Sequence, residues 1–128
     1  MSKVRTVNTK FWDDNYICGL DPVEKLVFLY LITNPKTNIC GCYEIQLKRV
    51  AFDTGVDIAT IKNILDRFEK DNKIKQFGDF VYIRNFMKNQ AINPKVLRGM
   101  RKEILSLPDE IQNVVKIDYD RLCIEYGY

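Results

Sequence analysis

Hydrophobic positions along this chain follow two periods, and the switches between them mark its elements. Phe11, Trp12 and Tyr16 fall close to helical spacing. With Thr9 as cap and Gly19 as stop, they predict a short helix. Asp21-Pro22-Val23-Glu24 then combines an N-cap, a proline suited to the first helical position and the glutamate of a capping box. A helix over residues 23–33 follows, ended by Asn34-Pro35. Residues 26–32 are apolar nearly all round, the mark of a helix buried on every side. Whatever one small domain leaves uncovered there is expected to face another subunit.

Residues 39–45 read as a short strand. Helical spacing resumes over 46–54, with Leu47, Val50 and Ala51 inward, and again from an Asp57 cap to about Asp71, with Ile61, Ile64, Leu65 and Phe68 as the apolar stripe. Asn72 is the expected left-handed C-cap. Residues 74–77 and 80–86 flank Gly78-Asp79, a two-residue hairpin signal. Asn93-Pro94 opens a further helix to about Leu107, with Val96, Leu97, Met100 and Ile104 on one side and Lys95, Arg98, Arg101 and Lys102 mostly on the other. After Pro108, residues 109–128 mix acidic side chains with Ile111, Val114, Val115, Tyr119, Leu122 and Tyr126. This tail is expected to dock as a helix, on its own domain or on a partner.

Ala51, Gly55 and Ile61 stand at the Ala-x3-Gly-x5-Ile spacing of a helix-turn-helix. A small side chain lets two crossing helices approach, glycine takes the left-handed turn between them, and isoleucine plugs the second helix onto the first. A strand before and a hairpin after predict a winged helix-turn-helix with extra N- and C-terminal helices. The fold class is mainly α with a small antiparallel β-sheet (α+β). Residues 1–107 form the winged domain and 108–128 the acidic tail.

With 128 residues, 46% hydrophobic, the chain has material for one packed core. No apolar run approaches a membrane span and the N-terminus lacks a signal-peptide core, so a cytoplasmic protein with reduced thiols is expected. Cys40 and Cys42 lie two apart on the expected strand, as a Cys-x-Cys pair without the spacing of a zinc knuckle. With Cys18 and Cys123 and no histidine, the cysteines read as small hydrophobes in or near the core rather than zinc ligands. No metal or cofactor is expected.

Net charge is +3, unevenly placed. Residues 1–45 balance; residues 46–102 carry thirteen basic against six acidic side chains, giving +7; residues 103–128 carry two against six, giving −4. The excess falls on the helix-turn-helix segment, as a nucleic-acid surface requires. Catalysis has little to stand on. There is no histidine, no phosphate-cradling Gly-x4-Gly-Lys loop, and neither serine, Ser2 or Ser106, sits in a nucleophile elbow. Asp118 and Asp120 read as a solvated turn sooner than a metal site. The chain is read as a binding protein, not an enzyme.

In a helix-turn-helix the second helix enters the major groove. Lys62 and Arg67 are placed for phosphates, and Asn63 suits adenine. Gln46, Lys48 and Arg49 begin the preceding helix, where the backbone is crossed. Wing contacts fall to Lys73, Lys75 and Arg84, and Lys88, Lys95, Arg98, Arg101 and Lys102 extend the basic surface. Asp57 and Asp66 on the reading face repel phosphate, and Asp79 ends a short wing. Weak or sequence-tolerant duplex binding is therefore expected. A transcriptional regulator, and an oligomerisation module that touches only protein, remain as alternatives.

Two runs, Asn8-Thr9-Lys10-Phe11-Trp12-Asp13-Asp14-Asn15-Tyr16-Ile17 and Leu20-Asp21-Pro22-Val23-Glu24-Lys25-Leu26-Val27-Phe28-Leu29-Tyr30-Leu31, resemble the N-terminal domain of phage and prophage replication-initiation proteins. Thr37-Asn38-Ile39-Cys40-Gly41-Cys42-Tyr43-Glu44 and Ile83-Arg84-Asn85-Phe86-Met87-Lys88-Asn89-Gln90 continue the resemblance, which covers roughly residues 5–107. Such proteins are similar to the DnaD-like replisome organisers and helicase loaders. The resemblance implies a winged-helix domain that self-associates, binds origin DNA and helps recruit the replicative helicase. These proteins often carry a second helical domain. With the chain stopping at Tyr128, either a fragment or a stand-alone version acting through partners is expected.

Overall fold

The computed structural model describes residues 3–128; Ser2 lies outside them. The first helix is not continuous as expected. Asn8, not Thr9, caps a 3-10 turn over Thr9–Asp13, its side chain accepting from the Lys10 N–H at 2.9 Å. Asp14 then takes an extended backbone and caps α1 (Asn15–Cys18), accepting from the N–H groups of Tyr16 and Ile17. A short acidic side chain that bonds the backbone locally breaks one helix and starts the next.

Helix α2 (Pro22–Thr33) begins with both capping-box bonds, Glu24 N–H to Asp21 at 2.9 Å and Asp21 N–H to Glu24 at 3.0 Å. Val27 and Leu31 are wholly buried, each worth about 1.5–3 kcal/mol. Val23 and Leu26 are 41% and 44% exposed. The helix is thus not buried on every side, because the rest of the chain covers only one of its faces.

Strand β1 is shorter than expected, Cys42–Glu44. The chain before it turns: the Asn38 side chain accepts from the Gly41 N–H at 3.0 Å, and Gly41 has φ +74°. A side chain at Gly41 would also overlap Phe86, so glycine is required twice over. Cys40 and Cys42 end in the same core, not on opposite faces: side chains two positions apart on an extended chain share a face. Burial pushes both thiols up to about 12. Cys18, expected in or near the core, is exposed.

Helices α3 (Leu47–Thr54) and α4 (Ile58–Lys70) meet through Gly55 at φ +76°, whose N–H caps the Ala51 carbonyl at 2.9 Å. Ile61, Ile64, Leu65 and Phe68 are buried, and Asn72 takes the left-handed conformation at φ +63°. Strands β2 (Ile74–Phe77) and β3 (Phe80–Ile83) form the hairpin, and the sheet order is β1-β3-β2, all antiparallel. Strand β3 stops at Ile83 rather than continuing to Phe86. Phe86 folds back, its N–H on the Ile83 carbonyl at 3.1 Å, and a 3-10 turn (Met87–Asn89) follows.

The sheet divides the molecule into two layers. Tyr43, Val81 and Ile83 face a first core shared with α1–α4, while Cys42 and Tyr82 face a second core shared with the last two helices. Those are α5 (Pro94–Leu105), capped by Asn93 and stopped at Ser106, and α6 (Asp109–Glu125). The second layer is pinned by polar bonds. Tyr119 Oη donates to the Leu97 carbonyl at 2.9 Å, and Tyr82 Oη to Asp118 at 2.6 Å. Ile111, Val115 and Leu122 are buried on this same chain, whereas Tyr126 stays exposed. The architecture is α+β, mainly helical around a three-stranded antiparallel sheet. Its order of helix, strand, helix, turn, helix and hairpin is the topology of a winged helix-turn-helix.

Candidate nucleic-acid interface

Helix α4 presents its polar side outward because Ile61, Ile64, Leu65 and Phe68 take the inward positions. Lys62 and Asn63 are exposed on that outer face, and no side-chain hydrogen bond or ion pair holds them among the described residues. Lys70, two turns on from Lys62, is exposed in the same way. A basic residue in a last turn reads first as compensation for the helix dipole, so sequence alone does not single it out. Gln46 is the N-cap of α3 without a side-chain cap bond, and Lys48 follows it, exposed.

Two of the expected phosphate ligands are employed inside the fold. Arg67 pairs with the buried carboxylate of Glu24, so that α4 is tied to the N-terminus of α2, and its Nε lies 3.7 Å from Asp71. These partners hold the Arg67 guanidinium above its ordinary value, the hydrogen bond to Glu24 first. Asp71 in turn accepts from Tyr16 Oη at 2.7 Å. Arg49 pairs with Asp53 at 2.8 Å, and Asp53 also accepts from Tyr30 Oη at 2.5 Å. The Tyr30 hydroxyl and then Arg49 hold the Asp53 carboxyl below its usual range.

The acids on the face are engaged as well. Asp57 caps α4 through Thr60, accepting from its N–H at 3.0 Å and its hydroxyl at 2.7 Å, and its carboxyl is lowered by those bonds, the hydroxyl first. Asp66 accepts from the Gln76 side chain at 3.1 Å, and Glu69 takes both the Gln76 N–H and its side-chain amide. Asp57 and Asp66 stand on the same outer side of α4 as Lys62 and Asn63. Strong phosphate attraction is therefore blunted at the centre of the face.

The hairpin does not place its cations at the tip. Lys73 and Arg84 face each other at its root, the Arg84 N–H on the Lys73 carbonyl at 3.1 Å. Lys73 lies over the Tyr16 ring, 4.7 Å from its centroid, and Lys75 over Phe77 at 5.8 Å. The tip itself is tied down, with the Asp79 carbonyl accepting from the Ile45 N–H at 2.9 Å. Lys88 is in the 3-10 turn that follows. Lys95, Arg98, Arg101 and Lys102 are exposed on α5, in the second layer. The basic segment is therefore not one surface: the sheet separates the α3–α4 cations from those of α5.

Asp118 spends its carboxylate on Tyr82, and no cluster of three or more metal-ligating side chains occurs among the described residues. Among those residues no helix is long and apolar enough to cross a membrane. Comparison with protein-family models, with curated proteins and with solved structures finds no match to this chain.

Proposed function

We propose that the α3–α4 face binds duplex DNA weakly and with little sequence preference. In this proposal the chain is the DNA-binding module of a phage- or prophage-type replication-initiation protein, which self-associates and helps bring the replicative helicase or another replisome protein to DNA. The observation that carries the DNA contact is the outer side of the helix-turn-helix, where Gln46, Lys48, Lys62 and Asn63 are exposed and lack internal partners among the described residues. Lysines there meet phosphates, and the amide of Asn63 reaches a base edge. Acidic Asp57 and Asp66 on the same face favour low affinity over strict readout. The replication role rests on the resemblance of the sequence runs and on nothing else.

A second reading, an assembly module without DNA contact, is favoured by a specific feature. Val23 and Leu26 on α2, Trp12 in the 3-10 turn Thr9–Asp13 and Phe52 on α3 are all exposed, Phe52 by 85%. Exposed large apolar side chains mark contact surfaces when they cluster.

Fluorescence anisotropy with a mixed-sequence duplex, at low and near-physiological salt, separates the two. With two or three phosphates neutralised, the log–log salt slope is expected at about −2 to −3. Affinity without salt dependence, or none at low salt, would remove DNA from the proposal and leave assembly. Much tighter binding to one palindrome would favour a transcriptional regulator instead.

A further inference from the structure

A polar cavity of about 440 Å³ opens at the seam between the two layers, on the root side of the hairpin. Four cationic side chains from four separate segments line it: Lys73 after α4, Arg84 after β3, Lys88 in the 3-10 turn and Arg121 on α6. Convergence from residue 73, residues 84–88 and residue 121 is not the solvated face of one helix. Three carboxylates share the walls, which leaves the lining one positive charge in excess, and two of them accept hydrogen bonds from tyrosines. Asp71 accepts from Tyr16 and lies against Arg67, and Asp118 accepts from Tyr82 at 2.6 Å. Glu125 is the third.

Arg84 supplies the second observation. Its Nε is buried and meets no hydrogen-bond acceptor among the described residues. Buried donors in native proteins are nearly always satisfied, so the guanidinium of this cavity-lining residue has hydrogen-bonding capacity that the fold leaves unused. A guanidinium flanked by lysines is suited to a tetrahedral oxyanion, because its planar fork spans two oxygens while ammonium groups add charge. The cavity is also within the range of volumes that hold small ligands.

We infer that this seam cavity binds a phosphate group, with Arg84 and Arg121 as its direct ligands and Lys73 and Lys88 as flanking charges. The site is separate from the α3–α4 face and does not depend on the DNA proposal. The phosphate belongs either to a small phosphorylated molecule or to a nucleic-acid backbone.

The test is a titration of the full ¹⁵N-labelled chain with sodium phosphate, against sodium chloride at matched ionic strength. Expected are saturable amide shifts at Asn72, Lys73, Arg84, Lys88 and Arg121, with half-saturation on the order of 1 mM. Arg121→Gln and Lys88→Gln, both at exposed positions, should preserve the spectrum's dispersion and each weaken phosphate binding about fivefold or more. Arg84→Gln is the stronger perturbation, and the two exposed variants stand if it fails to fold. A second titration uses a short duplex. Shifts at both Lys62 and the cavity assign the phosphate to a nucleic-acid backbone, while cavity shifts with phosphate alone assign it to a small molecule. Shifts no larger than those from chloride, or spread equally over Lys62 and Lys102, would overturn the site. Neither result touches duplex binding by α4, which the Lys62 shifts report on their own.

Discussion

The two layers on either side of the sheet are built differently. The first is held by aromatic packing and by charge. Phe28 stacks edge-on against Phe68 at 5.2 Å, Tyr16 lies against Phe68 at 6.3 Å, and Arg67 binds the buried Glu24. The second layer is aliphatic and sulfur-rich, with Met87, Met100, Cys40 and Cys42 around Tyr82, and neutral or single-charge hydrogen bonds fasten it. The consequence falls on the cations. In the first layer Arg49 and Arg67 are committed to structure, whereas none of the α5 cations takes part in an ion pair among the described residues. Basic residues near a helix-turn-helix are thus not interchangeable evidence for DNA binding. Some of them hold the helices together.

The largest effects should come from emptying each core in turn. Phe68→Ala is expected to destabilise by about 3–5 kcal/mol and Met100→Ala by about 2–5 kcal/mol, since both side chains are wholly buried. Because β3 contributes alternate side chains to the two cores, both variants should still unfold in one transition. Denaturant curves followed by Trp12 fluorescence and by far-ultraviolet circular dichroism check this. Separate midpoints by the two probes would show that the layers are independent domains.

Charge reversal in each layer comes next. Lys48→Glu with Lys62→Glu should weaken duplex binding tenfold or more and flatten the salt slope by about 2. Arg98→Glu with Lys102→Glu, across the sheet, should change affinity less than about threefold. If the second pair matters more than the first, the DNA face lies on α5 and the helix-turn-helix assignment fails.

At the seam itself, Tyr82→Phe deletes the hydroxyl that donates to Asp118 at 2.6 Å while keeping the ring in the second core. A loss of about 1–2 kcal/mol is expected from chemical denaturation. The Tyr82 hydroxyl is raised well above its ordinary range, by burial first and then by its bond to Asp118. It therefore stays protonated and donating through the neutral range. An unchanged midpoint would mean that α6 docks by apolar contact alone.

The first layer was largely legible in the sequence, and the reasons are local. The capping box at Asp21 and Glu24, the turn at Gly55 and the Asp57 cap depend on neighbouring residues, and each formed as expected. Features with distant determinants were less legible. The Gly41 turn closes locally on Asn38, but the crowding that also requires glycine there comes from Phe86, across the hairpin. The structural partners of two candidate cations were hidden for a related reason. Spacing places Arg67 on the outer part of α4, but only the tertiary fold brings Glu24 and Asp71 to it. Arg121 stands alone in an acidic stretch that masks a single basic residue, and spacing alone does not show that Arg84 sits at the hairpin root.

The smallest effect sharpens the comparison most, because one side chain serves fold and face with opposite signs. Asp57 caps α4, and the Thr60 hydroxyl and N–H hold its carboxyl below the usual range. A depressed carboxyl stabilises the folded state above its unfolded value, about 3.9, and that contribution disappears as pH falls through the folded value. Asp57→Asn keeps a side-chain acceptor at the cap, which asparagine supplies well, but removes the charge. At pH 7 its melting temperature should lie slightly below that of the unaltered chain, and the gap should close below about pH 4. On the DNA side the sign reverses. Losing a negative charge at the N-terminus of the reading helix should tighten duplex binding about two- to fivefold at low salt, with the gain shrinking as salt rises. Thermal melts across pH and anisotropy across salt read the two effects separately. A less stable variant that also bound DNA more weakly would mean that Asp57 does not face phosphate, and the groove-facing assignment of the α4 N-terminus would fall with it.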